Sequence, residues 1–211
     1  MAKTAPFDNH LVEYEKWFVD NIFTFLSEIE AIRSILPQKG KGIEIGVGSG
    51  IFASALGIKE GCDPSASMRI QAQKRGINVI DGIAENLPYK NSSFDYALMV
   101  TTICFVDDAQ KTLQEINRIL KPEGEVIVGF VDKNSPVGKL YLLNRGKSLF
   151  YKEAEFFSTE DINELLMSNG FVIIQSCQTV FGGLNDIKNI QQPEKGSGKG
   201  SFVVIKAKKH E

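Results

Sequence analysis

Cysteine, histidine and long apolar runs are all scarce in this sequence of 211 residues. The three cysteines, Cys62, Cys104 and Cys177, lie far apart and form no Cys-x-x-Cys pair. Neither a disulfide framework nor a structural zinc site is therefore expected. The two histidines, His10 and His210, lie near the ends of the chain, and no metal site of any kind is predicted.

No apolar run approaches the roughly 20 residues that a membrane-spanning helix needs. Residues 1–6 also lack the apolar core of a signal peptide. The formal net charge of −2 provides no bulk attraction to nucleic acid or to an anionic membrane. We therefore expect a cytoplasmic protein that binds neither nucleic acid nor membranes. None of these features predicts an oligomeric state.

Between residues 38 and 131, short apolar segments alternate with segments of helical periodicity. The run from Phe94 to Val100 is apolar enough for a central strand that is buried on both faces. This alternation predicts an α/β domain in which a mostly parallel sheet carries helices on both faces. In such sheets, ligands bind outside the carboxyl ends of the strands. The length suggests that residues 1–211 form a single domain.

The segments on either side of this core have other patterns. Apolar residues recur at helical spacing over residues 8–36, which predicts a helical lid within residues 1–37. Residues 132–157 have mixed polarity and are expected to cover the crevice as a helix and loops. In residues 158–211, Ser158 and Asp161 mark a helix start, and two antiparallel strands follow, joined by a connection over residues 182–200.

The most informative stretch is Glu44 followed by glycines at positions 46, 48 and 50. Alternate glycines leave bare backbone N–H groups that a ligand can approach closely. The carboxylate of Glu44 would repel a phosphate and would attract an ammonium group. Asp63 follows nineteen residues later (63 − 44) at the end of the next predicted strand, where a carboxylate can accept hydrogen bonds from ribose hydroxyls. The ligand expected is an amino acid joined to a nucleoside.

With these residues in place, the sequence resembles the class I S-adenosylmethionine-dependent methyltransferases, and most closely the broad family that includes the ubiquinone- and menaquinone-pathway enzymes. The resemblance extends over residues 40–130. It rests on five motifs, which are residues 44–50, 63–68, 84–88, 93–95 and 118–124. It implies a Rossmann-like sheet of seven strands in the order 3-2-1-4-5-7-6, with the seventh strand antiparallel, and it places the cofactor core in residues 38–131.

The resemblance also implies that S-adenosyl-L-methionine is the cofactor, S-adenosyl-L-homocysteine the product, and that no metal is needed. The implied cofactor contacts are Glu44, Gly46, Gly48, Gly50, Asp63, Met68, Ile83, Ala84, Glu85 and Thr101. Ile83 departs from the family pattern, because an acidic residue often stands there and binds the adenine amino group. That contact is then left to the backbone or to Glu85.

The methyl acceptor is expected to be a small molecule, because apolar and aromatic residues are candidates for its pocket. Predicted substrate contacts are Tyr14, Trp17, Thr102 and Phe105, and further candidate lining residues are Ile103, Leu140 and Phe150. No Asn-Pro-Pro-Tyr-like run follows the fourth strand, which counts against methylation of nucleobase or glutamine amino groups. No general base stands out, and weak candidates for that catalytic role are Tyr14, Asp132, Tyr141 and Tyr151.

The expected reaction is methyl transfer by in-line displacement. Two other functions stay open at this point. The first is a cofactor-binding or interaction protein that has the methyltransferase fold without the activity. The second is a nicotinamide-dependent oxidoreductase, which would be expected to carry a Gly-x-Gly-x-x-Gly pattern that this chain lacks.

Overall fold

The computed structural model of this chain describes residues 4–210, and it begins with three helices. The helices are α1 Ala5–Asn9, α2 Leu11–Asp20 and α3 Ile22–Ile35. The helical structure predicted for residues 8–36 is present, with breaks at His10 and Asn21 that the periodicity did not show. At the second break, the Asn21 side-chain amide donates a hydrogen bond to the Trp17 carbonyl at 3.0 Å. Such local bonds compete with a continuous helix.

The middle of the chain alternates strands and helices as predicted. Its strands are β1 Gly42–Ile45, β2 Glu60–Asp63, β3 Asn78–Asp81, β4 Phe94–Val100 and β5 Leu120–Val131. Its helices are α4 Ile51–Leu56, α5 Ala66–Lys74 and α6 Ala109–Ile119. All pairings among these strands are parallel, in agreement with the sequence-based expectation.

The last third contributes α7 Pro136–Asn144, α8 Thr159–Ser168, β6 Phe171–Thr179, β7 Glu194–Lys195 and β8 Phe202–Lys209. Short 3₁₀ turns occur at Arg145–Lys147, Tyr151–Glu153 and Leu184–Asp186. Residues 132–157 are thus a helix followed by irregular structure, as expected. The final strand runs antiparallel to both of its neighbours, β5 and β6.

The sheet has eight strands in the order β3-β2-β1-β4-β5-β8-β6-β7. The predicted order of seven is confirmed for the long strands, and the count is corrected by β7 at the edge. This strand lies inside the 182–200 connection and pairs only with Cys177 and Gln178. A strand of two residues shows no periodicity, so the sequence held no signal for it.

Helices cover both faces of the sheet. On one face, α2–α5 bury side chains such as Phe25, Ile32 and Phe52. On the other face, α6 and α8 bury Ile116 and Leu166. Because apolar side chains cover both faces of the sheet, polar side chains are found at the carboxyl ends of its strands.

Within residues 4–210, no helix is long and apolar enough to cross a membrane. The three cysteines are buried and form no disulfide within residues 4–210. The same described region contains no group of three or more His, Cys, Asp or Glu side chains arranged to hold a metal ion.

The start of α8 confirms the capping box predicted from Ser158 and Asp161. The Ser158 hydroxyl accepts a hydrogen bond from the Asp161 N–H at 3.2 Å, and the Asp161 carboxylate accepts one from the Ser158 N–H at 2.7 Å. We predict that Ser158→Ala destabilises the protein by about 1 kcal/mol, which lowers Tm by about 2–4 °C in a chain of this size. Thermal denaturation measures the change. Ser168→Ala, exposed at the other end of α8, serves as the control and should change Tm little. Equal effects of the two substitutions would contradict the prediction.

Candidate functional site

One cavity of about 400 Å³ lies at the carboxyl ends of β1, β2 and β4, where the fold predicts a ligand site. Its volume falls in the range of roughly 300–1,000 Å³ that is usual for small-molecule sites. Helices α1–α3 and the segment after β5 close it from outside. The predicted site residues that line it are Tyr14, Trp17, Gly46, Gly48, Asp63, Met68, Ile83, Ala84, Glu85, Thr101, Thr102, Phe105, Tyr141 and Tyr151.

The turn after β1 needs glycine for space as well as for conformation. Gly46 has φ +65°, and a Cβ atom there would stand 2.2 Å from Cγ2 of Thr102. The Thr102 hydroxyl donates a hydrogen bond to the Gly46 carbonyl at 3.2 Å, which closes β4 against the turn. At Gly48, with φ +54°, a Cβ atom would stand 3.2 Å from the Tyr14 hydroxyl oxygen. The cavity wall here is consequently bare backbone.

Asp63 holds that turn from the end of β2. Its two carboxylate oxygens accept hydrogen bonds from the backbone N–H groups of Gly48 and Ser65, each at 2.8 Å. Burial raises the pKa of Asp63 to about 6, although both hydrogen bonds act in the opposite direction. Near neutral pH the carboxyl is therefore ionised, buried and in contact with the cavity.

Glu44 lies behind the cavity wall and is not among the residues that line it. Its side chain is 2% exposed, and its Oε2 atom has no hydrogen-bond partner within residues 4–210. Burial raises the pKa of this carboxyl well above its usual range, and a hydrogen bond from the Ala53 backbone offsets only part of the effect. Its charge in turn raises the pKa of Tyr14. An unpartnered buried acid oxygen next to a ligand-sized cavity is energetically costly unless a ligand group reaches it.

Besides Glu44, the predicted site residues Gly50 and Asp132 do not line the cavity. Gly50 begins α4 with φ +79°, and a Cβ atom there would stand 3.0 Å from Ala72 of α5, so this glycine permits helix packing. The predicted base Asp132 instead accepts hydrogen bonds from the Thr159 N–H and hydroxyl, at 2.9 and 2.6 Å. Both predictions are corrected for the same reason: each residue contacts a neighbouring helix instead of the cavity, Gly50 the helix α5 and Asp132 the start of α8. The candidate lining residues Ile103 and Leu140 also lie outside the cavity.

The loop with Ile83, Ala84 and Glu85 lines the cavity beyond β3. Glu85 accepts hydrogen bonds from the backbone N–H groups of Asp107 and Asp108, at 2.6 and 3.3 Å. Its carboxylate thus links this loop to the segment that leads into α6. Glu115 of α6 forms a second link, because it accepts a hydrogen bond from the Leu87 N–H at 2.9 Å. These contacts fix the loop and leave its backbone facing the cavity.

Met68 and Thr101 line the cavity from opposite sides. Met68 is 1% exposed and lies in the first turn of α5, where the Ser65 hydroxyl caps its N–H at 3.3 Å. Thr101 ends β4 with φ +48°, an uncommon conformation for a threonine. Its N–H donates to the Gly129 carbonyl at 2.8 Å, so the neighbouring strand β5 maintains the strained position.

Aromatic side chains from four segments form the outer part of the cavity. Tyr151 stacks between Tyr141 and Phe105, with ring centroids 4.8 and 5.6 Å apart. Tyr14 packs near Phe150 at 5.9 Å. Burial is the main cause of raised pKa values at Tyr14, Tyr141 and Tyr151. The three phenols stay protonated near neutral pH, which argues against the predicted role of any of them as a general base.

Glu28 of α3 is a cavity residue that the sequence analysis missed. It is 5% exposed, and burial alone raises its pKa to about 8. No residue in the described range 4–210 forms a hydrogen bond or ion pair with its carboxyl group. A signal was present, because Glu28 occupies the buried stripe of Phe25, Ile29 and Ile32, where an acid interrupts apolar positions.

Within residues 4–210, the charged side chains that line the cavity are all acidic. They are Glu13, Glu28, Asp63, Glu85 and Asp107. No Lys, Arg or His is found among the described residues that line it. Such a cavity favours ligands that carry a positive charge and disfavours phosphate groups.

Comparison with known proteins identifies the family to which this chain is related. A family model of the methyltransferase domain matches residues 43–128. The crystal structure of a SAM-dependent methyltransferase from Thermotoga maritima, described as a possible histamine N-methyltransferase, has a TM-score of 0.95 and 48% identity. The match covers 98% of this chain and 99% of that one. This chain belongs to the S-adenosylmethionine-dependent methyltransferase family.

Two further proteins are similar to this chain in sequence. A protein of Methanocaldococcus jannaschii is 42% identical over 96% of this chain and 98% of its own length. The demethylmenaquinone methyltransferase of Chlorobaculum tepidum is 27% identical over 75% of this chain and 68% of its own length. The resemblance to class I enzymes of the menaquinone-pathway type is thereby confirmed.

The buried acid of Glu28 predicts an unusual dependence of stability on pH. Its pKa is about 8 in the folded chain, against an ordinary value of 4.5. Between these values the unfolded chain releases a proton that the folded chain keeps, so stability falls as pH rises through this window. We predict that Glu28→Gln removes this fall and is more stable than wild type at pH 9 by on the order of 3 kcal/mol. At pH 5 the difference should be small.

Urea denaturation at both pH values measures the effect. Glu30→Gln is the matched control, because Glu30 lies on the same helix and pairs with Arg33 on the outer surface. Parallel stability profiles for wild type and Glu28→Gln would contradict the prediction.

Proposed function

We propose that this protein transfers the methyl group of S-adenosyl-L-methionine to a small-molecule acceptor by in-line displacement. The observation that carries the proposal is the bare-backbone turn that Asp63 holds by its hydrogen bond from Gly48, at the edge of an acidic cavity. A turn without side chains and two buried acids suit a ligand that has a ribose at one end and an ammonium group at the other. S-adenosyl-L-methionine supplies an electron-poor methyl group on a positively charged sulfur.

The residues of the cavity are suited to hold such a cofactor. Asp63 is placed to accept hydrogen bonds from the ribose, as a carboxylate at the end of β2 does in related folds. Glu44, with its unpartnered oxygen, and the backbone near Gly46 would take the amino acid end. Met68 would lie against the adenine, and the backbone of Ile83 and Ala84 would meet its edge. Thr101 would lie near the sulfonium.

The protein would contribute to catalysis by aligning the acceptor with the bond between sulfur and the methyl carbon and by excluding water. Helix α1 is tied down beside the site, because Asp8 accepts a hydrogen bond from the Ser65 hydroxyl at 2.6 Å. Helix α2 is tied down by an ion pair between Glu15 and Arg75, and Arg75 also donates to the Ser49 carbonyl at 2.8 Å. We propose that residues 1–37 act as a lid. Well-positioned reactants can lower a barrier by about 7–11 kcal/mol.

The acceptor half would be the aromatic outer part of the cavity, with contributions from the lid and from residues 132–157. Trp17, Thr102 and Phe105 are proposed acceptor contacts, together with Tyr14. A cavity of about 400 Å³ that also has to hold the cofactor would suit a small acceptor. The names of the two enzyme relatives, a demethylmenaquinone methyltransferase and a possible histamine N-methyltransferase, are consistent with small acceptors.

Thermal denaturation with S-adenosyl-L-homocysteine tests the cofactor half directly, and a rise in Tm is expected. Incubation of a cell extract with the protein and methyl-labelled donor, followed by mass spectrometry, tests transfer. Stabilisation without any labelled product would favour a cofactor-binding protein that lacks the activity. No stabilisation at millimolar ligand would refute the proposal.

Replacement of Asp63 should weaken cofactor binding specifically. Asp63→Asn keeps the shape of the side chain and one acceptor oxygen but removes the charge. We predict that the Kd for S-adenosyl-L-homocysteine rises by about 10–100-fold, since hydrogen bonds to a charged group contribute about 1.5–3 kcal/mol. Calorimetric titration measures it. Asp81→Asn, at the end of the neighbouring strand β3 and 69% exposed, is the control. Equal Kd values for the two variants would contradict the assignment.

Cofactor affinity should also depend on pH through Asp63. The ionised carboxylate is the form that accepts two hydroxyl hydrogen bonds, and its pKa is about 6 in the free protein. We predict that the Kd for S-adenosyl-L-homocysteine rises by up to about tenfold per pH unit below pH 6. The Asp63→Asn variant should lack this part of the dependence. Glu44 titrates in both proteins, so the difference between their profiles isolates Asp63. Identical profiles would exclude the role.

A further inference from the structure

Glu28 occupies a position that the cofactor assignment does not use. It lies in the middle of α3, far along the chain from the glycine turn, and it lines the same cavity. It shares the cavity lining with Tyr141 and Tyr151, which belong to the aromatic outer part. It is 5% exposed and has no hydrogen-bond or ion-pair partner in residues 4–210, so its carboxyl is open to a ligand that enters the cavity.

The surroundings of Glu28 favour a cationic partner. Within residues 4–210 the charged side chains that line the cavity are all acids, so no cation of the described lining pairs with Glu28. Aromatic rings such as Trp17, Tyr141 and Tyr151 line the outer cavity, and ring faces attract cations. An anionic or purely apolar acceptor would leave the buried carboxyl without a partner, which is energetically unfavourable.

We propose that Glu28 is the acceptor-binding carboxylate of this protein and that the acceptor is a small amine, bound through its ammonium group to Glu28 among the aromatic side chains. This inference rests on the proposed methyl transfer and names its substrate class. In this proposal Glu28 contacts the acceptor nitrogen directly, and the rings of Tyr141 and Tyr151 lie beside the bound amine.

The same contact would prepare the nitrogen for reaction. An ammonium group has no free electron pair, so it must lose a proton before it can be methylated. In the empty cavity the carboxyl holds a proton near neutral pH, and it releases that proton to solvent when the ammonium group binds and forms the ion pair. The resulting Glu28 carboxylate then takes the ammonium proton, which leaves a neutral amine and a neutral carboxylic acid. Burial favours the neutral pair over the ion pair. The nitrogen electron pair then forms the new bond to the methyl carbon, and the pair of the broken carbon–sulfur bond stays on sulfur. The methylated ammonium product leaves with its charge.

Binding is tested on protein saturated with S-adenosyl-L-homocysteine. The probes are matched pairs that differ only in amine against hydroxyl, namely phenethylamine with 2-phenylethanol, tyramine with tyrosol, and hexylamine with hexanol. In wild type, calorimetric titration should show tighter binding of the amine in at least one pair, by about 10–100-fold. Glu28→Gln should abolish the preference, and Glu30→Gln on the outer side of α3 should keep it.

Activity supplies the second measurement. With methyl-labelled donor, Glu28→Gln should lower kcat/KM for the preferred amine by about 100-fold or more, because binding and proton removal are both lost. Titration in two buffers of different ionisation enthalpy should show that the proton balance of amine binding differs between wild type and Glu28→Gln. Restored activity in Glu28→Asp would support the carboxylate as the active group.

The outcomes separate the two proposals. If S-adenosyl-L-homocysteine fails to bind wild type, the proposed function fails. If it binds wild type and Glu28→Gln equally, but no amine is preferred over its alcohol in any pair, the proposed function stands and the role of Glu28 is overturned. Unchanged amine binding in Glu28→Gln overturns it as well. The stability profile of Glu28→Gln shows independently that the variant is folded.

Discussion

The close approach of β4 to the turn after β1 is the constraint on which the cavity depends. Thr102 can lie against this turn only because residue 46 has no side chain, and a Cβ atom there would overlap its methyl group. Two residues later, the N–H of Gly48 reaches the carboxylate of Asp63 and ties β2 to the same place. Three strand ends therefore meet around backbone rather than around side chains. That arrangement lets a ligand touch main-chain N–H groups at the edge of the sheet.

The second constraint is electrostatic. A folded chain normally pairs its buried acids, because an unpaired buried charge is costly. Here Glu44 and Glu28 are both nearly inaccessible, and neither carboxyl is fully satisfied by the residues that the structure describes. Unpaired buried groups that reduce stability are concentrated at functional sites. The proposals assign Glu44 to the methyl donor and Glu28 to the acceptor.

The part of the cavity proposed for the cofactor was far more predictable than the part proposed for the acceptor. Gly46, Gly48, Asp63 and Met68 each follow a strand end or begin a helix, and they recur at short spacing, so local patterns locate them. Gly50 has the same local pattern and yet packs against α5, because which side of the turn faces the ligand depends on the neighbouring helix. Thus even within a well-defined motif the individual contacts were decided by packing.

Periodicity and motifs were enough to predict the alternation of strands and helices, the glycine turn with its acids, and the capping box of α8, and the family resemblance implied the order of the long strands. The periodic and motif signals come from interactions between residues close along the chain. That Glu28 lines the same cavity as Tyr141 and Tyr151, and that Asp132 accepts hydrogen bonds from Thr159, became clear from the tertiary structure. These residues are distant in sequence and come together across the crevice. Periodicity marks Glu28 as an acid in a buried stripe of α3, but its place among the aromatic residues results from the packing of whole elements, which no local pattern encodes.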